Sequence, residues 1–262
     1  MLAEIKYIIT RKRFWGSCLV LLFCLSGYAI FDWILLSHYP INSRPSALEQ
    51  TIGGIFFGGV SIILPLCVSF PIGLYQVEEE ATSFTDLKLI RSSLFKYINQ
   101  KIISSFICGA ILICISFSTH ALFWNIVATP CDTNKYPERA IMFSPDCLYY
   151  VWQPFFYSLP IYISILLGMS FCGGVWAIVS ETAAILFHDR ILVISIPFCL
   201  FYLWHSGLPS LLFNNPSFPH PADLFNDAIT WQSILASIFV YIFIIFVCIL
   251  LNIFTIKRRI IE

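Results

Sequence analysis

The sequence predicts an all-α, polytopic membrane protein that has six transmembrane helices and both termini in the cytoplasm. First, 58% of the 262 residues are hydrophobic and only 11% are charged, with a mean hydropathy of +0.83. Second, the apolar residues form six separate runs, and third, the basic residues concentrate in alternate loops. A soluble domain normally has about a quarter of its residues charged and a polar exterior. We therefore expect lipid to surround this chain.

Each apolar run is assigned to one span, because about 20 helical residues cross the hydrocarbon core. The fifth run is the shortest, at 15 residues. The first run is longer than the apolar region of a signal peptide, so it is predicted to remain as a membrane helix. Residues 1–262 thus form a single transmembrane domain. Its predicted spans are 14–36, 52–75, 102–124, 154–179, 191–205 and 231–256.

Lysine and arginine in short loops mark the cytoplasmic side of a membrane protein. Six spans place 12 of the 15 basic residues on one side, and Arg44, Lys135 and Arg139 on the other. This division predicts cytoplasmic termini and three outer loops. The outer loops lie near 37–51, 125–153 and 206–230. The 12 residues are Lys6, Arg11, Lys12, Arg13, Lys88, Arg91, Lys96, Lys101, Arg190, Lys257, Arg258 and Arg259.

Two shorter elements accompany the spans. In residues 2–13, Leu2, Ile5 and Ile9 fall on one helical face, which predicts an amphipathic helix in the membrane interface. A frayed basic terminus is the alternative. Between spans five and six, the apolar patch 208–213 lies among prolines and is too short to span. It predicts a re-entrant segment buried against protein in the outer leaflet.

Several residues are candidates for structural roles. Small residues let membrane helices approach closely, and we favour packing within one protomer over a dimer interface for the glycines of spans two and four. Pro65 and Pro71 predict a kink, and a candidate hinge, in span two. Cys131 and Cys147 share an outer loop and form a candidate disulfide closing about 15 residues. The glycines are Gly54, Gly58, Gly173 and Gly174.

Few ionisable residues occur inside the predicted spans. Asp32, His120 and His205 lie near outer ends, where we expect them to reach interfacial water rather than to serve a site. Two isolated histidines are too few for a metal site. Carriers more often pair ionisable residues at mid-membrane, so this scarcity also argues against proton coupling.

The loop after span two carries the most informative pattern. The acidic run Glu78–Glu80 is followed by Ser83 and Asp86, a helix-capping signature. An apolar face and Lys101 come next. The pattern predicts a short helix under the bilayer that docks into a groove of another protein. A solvated loop, or basic side chains holding anionic headgroups, is the alternative. The face consists of Leu87, Ile90, Leu94 and Ile98.

This loop resembles the first cytoplasmic loop of the ABC-2 family of transporter permeases, in which an acidic run precedes a coupling helix. The match covers the acidic run, Thr82 and the Leu-rich stretch down to Lys101. It departs at Ala81 or Ser83, where the family often has glycine, and at Ser92-Ser93, where it has a Pro–Ser pair. The basic tail Lys257–Arg259, the short turn from Glu181 to Arg190 and the re-entrant segment also resemble the family.

The resemblance implies a permease subunit that works with two copies of an ABC ATPase subunit and with a second copy of itself or a related permease. ATP and Mg²⁺ would be bound by the ATPase, and no cofactor by this chain. It also implies export across a cell membrane, here a bacterial plasma membrane. The apolar composition suggests a peptide, drug or lipid-like amphipathic substrate. The implied ATPase contacts are Glu79, Glu80, Thr82, Phe84, Leu87 and Lys88.

Other functions have less support in the sequence. The chain has no P-loop, H-E-x-x-H or G-x-S-x-G motif, so we expect no enzyme activity in this chain alone. Its formal net charge is zero, which suggests no nucleic-acid partner. A stand-alone six-span carrier or channel is the leading alternative. An intramembrane enzyme and a membrane scaffold are further alternatives.

Overall fold

The computed structural model describes residues 1–38, 47–57, 59–82, 93–128, 159–206 and 231–261. Within these ranges the secondary structure is entirely helical, which confirms the predicted all-α class. A 3₁₀ turn, Leu36–His38, follows the second helix. The α-helices are α1 (Leu2–Thr10), α2 (Lys12–Leu35), α3 (Ala47–Phe57), α4 (Val60–Ala81), α5 (Leu94–Val127), α6 (Leu159–Phe187), α7 (Arg190–His205) and α8 (Trp231–Ile261).

Five of these helices, α2, α4, α5, α6 and α8, are long and apolar enough to cross a membrane. The fifth predicted span corresponds to α7, which is apolar but has only 16 residues. The fold is therefore consistent with a multi-pass α-helical membrane protein. The count of six spans and the orientation remain predictions.

The bundle is built around α6, which packs against α4, α5, α7 and α8. Every residue from Cys172 to Ile185 on α6 is buried. By contrast, α2 and α8 turn large apolar side chains outward, with Phe23 77% and Phe239 73% exposed. A soluble monomer rarely exposes apolar patches of this extent. The outer surfaces of α2 and α8 are therefore suited to contact lipid.

Glycines allow α5 and α6 to cross closely. A β-carbon at Gly109 would lie 2.6 Å from the Gly173 carbonyl oxygen, and one at Gly174 would lie 2.5 Å from the Phe106 ring. A β-carbon at Gly54 would collide with the Leu25 carbonyl oxygen of α2. Gly54, Gly173 and Gly174 thus pack against helices of their own chain, whereas Gly58 lies outside the described residues.

The second predicted span differs from one continuous helix over 52–75. It consists of α3 and α4, which are separated at Gly59, a residue with a left-handed φ of 68°. Glycine adopts this conformation without the steric penalty of a β-carbon. Pro65 and Pro71 both lie inside α4. The interruption therefore precedes the two prolines, and their role as a hinge remains a prediction.

The helices extend further at the predicted cytoplasmic end than hydropathy indicated. The helices continue beyond the predicted span boundaries at 75, 102 and 179, because α4 reaches Ala81, α5 starts at Leu94 and α6 reaches Phe187. The predicted turn from Glu181 to Arg190 shrinks to two residues before α7. Asp189 caps α7 by accepting hydrogen bonds from the Ile191 and Leu192 amides at 2.8 and 3.0 Å.

The N-terminal helix α1 packs against the bundle through Ile5 and Ile8, which are buried. Ile9 also packs against the core, whereas Leu2 is 77% exposed. Glu4 of the same helix is bonded to Lys101. Placement of α1 in the membrane interface stays a prediction. Two further predictions, the Cys131–Cys147 disulfide and the re-entrant patch 208–213, lie outside the described residues.

Candidate functional site

A buried cluster of charges joins α1, α4 and α5 at the end of the bundle where α4 ends and α5 begins. At its centre is Lys101, whose side chain is only 2% exposed. The Lys101 ammonium group donates hydrogen bonds to the carboxylates of Glu4 on α1 and Glu79 on α4. The three side chains therefore tie together three helices that are distant in sequence.

Two tyrosines complete the surroundings of Lys101. Its Nζ lies 5.1 Å from the centre of the Tyr75 ring and 5.9 Å from that of Tyr97. Removing an ammonium group from water is costly unless nearby groups replace its hydration. Here two carboxylates replace that hydration by hydrogen bonding, and two aromatic faces contribute through cation–π attraction. Lys101 is thus stabilised as a buried cation.

A third carboxylate, Glu181 on α6, lies inside the bundle beside this cluster. It is 1% exposed, and neither of its carboxylate oxygens makes a regular hydrogen bond within the described residues. Lys101, Glu4 and Glu79 lie close enough to act on it electrostatically. Glu181 is therefore a third buried acidic side chain at this end of the bundle.

A second cluster ties α8 to α4 and to the end of α6. Arg259 donates to the Glu80 carboxylate at 2.8 Å, to the Ile185 carbonyl oxygen and to the His188 ring at 2.6 Å. The His188 ring also lies 3.5 Å from Glu80. A cation near the last carbonyls of a helix is favourable, because those carbonyls carry partial negative charge. This cluster anchors the basic tail of α8.

A cavity of about 1250 Å³ opens next to both clusters. Its walls come from α1, the last turns of α4, Gln100 of α5 and the turn between α6 and α7. Arg13 of α2 forms a 2.6 Å ion pair with Glu78, one of the lining residues. The two side chains are 44% and 36% exposed, so the pair contributes little to stability. The cavity lining includes Glu4, Glu79, Thr82, His188 and Asp189.

The residues predicted to contact an ATPase differ in their surroundings. Glu79 is buried against Lys101, and Glu80 is paired with Arg259. Thr82 is exposed and donates to the Glu79 carbonyl oxygen at 2.9 Å, which closes the end of α4. Phe84, Leu87 and Lys88 lie outside the described residues. Contact of these six residues with an ATPase stays a prediction.

The predicted docking face is partly wrong. Leu94 and Ile98 belong to the continuous helix α5 rather than to a separate helix under the bilayer. Ile98 is buried in the core and Leu94 packs against it. These two side chains are covered because α5 begins earlier than its hydropathy indicates. Leu87 and Ile90 lie outside the described residues.

His120, at the other end of α5, is not at an exposed interface as predicted. Its ring is fully buried and its Nδ1 lies 3.0 Å from the Ser26 hydroxyl. Asp32 is half-buried and accepts a 2.9 Å hydrogen bond from Gln50. His205 is half-buried and stacks on Phe201. Within the described residues, no group of three or more His, Cys, Asp or Glu could hold a metal ion.

Glu4, Glu181 and Arg259 are parts of the charge clusters that sequence reasoning did not assign to a site. The sequence analysis places Glu181 in a short turn and Arg259 in a basic tail, and it gives Glu4 no role, because hydropathy falls where a charge occurs. One signal in the sequence could have indicated these clusters. Acidic and basic residues occur within one or two turns of the ends of different predicted helices, so they could pair if those ends meet. That signal does not specify which ends meet.

No family model, curated protein or solved structure matches this chain. Its class therefore follows from the architecture itself. The chain is an α-helical bundle with several helices long and apolar enough to cross a membrane, as in a multi-pass membrane protein. Its charge clusters lie at one end.

Proposed function

We propose that this chain is the membrane-spanning permease subunit of an ATP-binding cassette exporter, similar to the ABC-2 permeases. It would act as a pair, with itself or a related permease, together with two ATPase subunits that bind ATP and Mg²⁺. The proposal requires a rigid connection between the loop that receives the ATPase and the helices that move.

The observation that carries the proposal is the buried ion cluster that joins the end of α4 to the start of α5, the helices on either side of residues 83–92. Glu79 lies two residues before the end of α4, and Lys101 lies in the second turn of α5. Their ion pair closes the base of the loop, and Glu4 adds α1 to it. A force applied to the loop would therefore reach α1, α4 and α5 together.

The cavity beside the loop supports the same function. It is bounded by α1, the end of α4 and the turn between α6 and α7, and it has both charged and apolar lining residues. A partner that seats at this end would contact all three elements. Closure of two ATPases would then shift the permease between two arrangements, as population-shift mechanisms require. We propose an amphipathic peptide, drug or lipid-like substrate, moved outward.

The test is copurification of the tagged full-length chain from its native host in mild detergent, with mass spectrometry of the retained proteins. Wild type should retain an ABC ATPase, and the double variant Phe84→Asp/Leu87→Asp should lose it, because charges are inserted into the apolar docking face. Lys257→Gln, on the exposed tail of α8, is the matched control and should retain the ATPase.

A chain that remains folded but retains no ABC ATPase in any of the three samples would contradict the proposal. Retention by the double variant would instead exclude the loop as the docking element. Circular dichroism and gel filtration of each variant separate loss of docking from loss of folding.

A stand-alone carrier is the second candidate, and one observation favours it. The structure places Lys101, Glu79 and Glu181 inside membrane-length helices, where paired ionisable residues typically mark transport pathways. Reconstitution discriminates the two functions. Uptake into liposomes that contain this chain alone, driven by an ion gradient, would favour the carrier. Uptake only with an added ATPase and ATP would favour the permease.

A further inference from the structure

A second cavity, of about 350 Å³, lies where α1, the start of α2 and the second half of α4 meet. Three consecutive cations line it, Arg11, Lys12 and Arg13, together with one carboxylate, that of Glu78. Arg13 is paired with this carboxylate at 2.6 Å. Three positive charges and one negative charge leave the lining with a net charge of +2. The cavity therefore favours an anion.

The charges of Arg11 and Lys12 are not balanced within the described part of the chain. Both side chains are exposed, and neither forms an ion pair with a carboxylate that the structure describes. The Arg11 guanidinium lies 4.2 Å from the centre of the Tyr7 ring on α1. This cation–π contact orients the guanidinium without neutralising its charge. Two positive charges thus remain to attract an anion.

An outward-facing apolar stripe on α2 continues from this cavity. Residues three or four positions apart lie on one face of a helix, and one such series on α2 is exposed throughout. The series consists of Lys12, Trp15, Leu19 and Phe23. Its three apolar members are 48%, 65% and 77% exposed, in chain order. A cation therefore lies at the head of a stripe whose other members are suited to hydrocarbon.

The dimensions of this stripe fit an acyl chain. Gly16 lies one turn after Lys12, and no atom lies within 4 Å of a β-carbon built there. A hydrocarbon chain could therefore lie against the helix beside Trp15 without displacing a protein atom. From Lys12 to Phe23 the helix rises roughly 16 Å, which is close to half the hydrocarbon thickness of about 30 Å. The stripe thus matches the acyl chains of one leaflet.

The order of the residues along α2 sets the depth of the cavity. Its cations come directly before the apolar run, which begins at Phe14. Basic residues next to the apolar run of a membrane helix lie at the level of the lipid headgroups. A phosphate held by Arg11 and Lys12 would therefore have its acyl chains beside the stripe. A soluble anion would use the cations but leave the stripe without a role.

We propose that this cavity binds the headgroup of an anionic phospholipid, and that an acyl chain of the same molecule lies along α2 from Trp15 to Phe23. Arg11 and Lys12 donate hydrogen bonds to the phosphate oxygens. A zwitterionic phospholipid fits less well, because the excess of cations repels its ammonium group. The proposal does not rest on the ATPase partnership, because it requires only that α2 borders lipid.

The experiment is native mass spectrometry of the purified full-length chain in detergent, titrated with phosphatidylglycerol and phosphatidylcholine that have the same acyl chains. Wild type should retain phosphatidylglycerol in preference. Arg11→Gln/Lys12→Gln should weaken its binding about fivefold for each cation removed. Lys96→Gln/Lys257→Gln is the matched control, because it removes two exposed lysines outside the cavity. This control should keep the wild-type preference.

Glu78→Gln distinguishes an effect on the site from damage to the fold, because it should strengthen binding. It neutralises the one carboxylate among the described lining residues and releases Arg13 from its ion pair. Phosphatidylglycerol should then bind about fivefold more tightly. A damaged fold would not produce this gain. Unchanged or weaker binding in this variant would overturn the cavity as the headgroup site.

Glycerol 3-phosphate tests the role of the acyl chain, because it supplies a similar anion without one. An excess of this compound should not displace phosphatidylglycerol from wild type. Complete displacement would show a site for soluble phosphates and would overturn the lipid assignment. Equal retention of the two phospholipids by wild type, or equal losses in the two double variants, would overturn the site itself.

Discussion

At the scale of single residues, Lys101 and Arg259 are each surrounded by groups that compensate their charge. Lys101 is surrounded by two carboxylates and two aromatic rings, and Arg259 is bonded to a carboxylate, a carbonyl oxygen and a histidine. A buried ion pair of this kind adds little stability compared with apolar residues, but removing one partner leaves the others unpaired. Such residues therefore dictate which helices must meet.

Lys101→Met should destabilise the folded chain by about 3–5 kcal/mol, because Glu4 and Glu79 would each lose a buried ammonium partner. The measurement is chemical or thermal unfolding in detergent micelles. Lys96→Met is the matched control, since Lys96 is an exposed lysine on the same helix, and should change stability little.

Adding Glu4→Gln and Glu79→Gln to Lys101→Met should recover part of the loss, because the triple variant also neutralises the two carboxylates that lose Lys101. Equal effects of the Lys101 and Lys96 variants would show that the ion cluster is not a stability determinant. Failure of the triple variant to recover any stability would place the loss in packing rather than charge.

At the scale of elements, helix contacts depend on small residues and on one interruption. The α5–α6 crossing is close because Gly109 and Gly173 face each other without side chains. Span two is divided at Gly59, so α3 is a separate helix that packs on α2 and α5. The buried ring of His120 on α5 lies against α3, since a β-carbon at Gly54 of α3 would be 2.8 Å from His120 Nε2.

Gly109→Ala should destabilise the bundle by about 1–3 kcal/mol, because its new methyl group would lie 2.6 Å from the Gly173 carbonyl oxygen and 2.8 Å from the Ala177 β-carbon. Gly16→Ala is the matched control, because no atom lies within 4 Å of a β-carbon there. It should be neutral or should stabilise by up to about 1 kcal/mol through helix propensity. Unfolding temperatures in one detergent measure both, and a reversed order would contradict the close crossing.

At the scale of the whole molecule, the bundle has a central helix, an apolar exterior and one end that carries charge clusters. α6 is buried by four neighbours, α2 and α8 present apolar surfaces suited to lipid, and the charge clusters lie together at one end. The basic residues predicted to be cytoplasmic include Lys101 and Arg259 of these clusters. The candidate site therefore coincides with the predicted cytoplasmic end.

The six-span topology predicts that Lys257 and Lys135 lie on opposite sides of the membrane. Single cysteines at these positions, in a chain whose ten native cysteines are replaced, should react with an impermeant maleimide from opposite faces. Lys135→Cys should be labelled in intact cells and Lys257→Cys only in inverted vesicles. Lys6→Cys should behave like Lys257→Cys, and labelling of the two termini from opposite faces would indicate an odd number of spans.

Much of the architecture could be predicted because lipid imposes a simple rule on composition. Apolar runs of sufficient length, such as the one that became α2, are recognisable without any knowledge of their neighbours. Helix ends were harder to predict, because Glu79, Lys101 and Glu181 lower the local hydropathy while the helix continues. Charges that are paired in three dimensions look the same in sequence as charges that face water.

The sequence alone determines that this chain is helical and suited to a membrane, because the length and composition of an apolar run suffice for both. It also carries the charge pattern on which the predicted orientation rests. Only the tertiary structure decides that Glu4, Glu79, Lys101 and Glu181 share one site, since they come from four helices separated by up to 177 positions. Ion pairing and desolvation depend on distance in space, and no local pattern in the sequence encodes that distance.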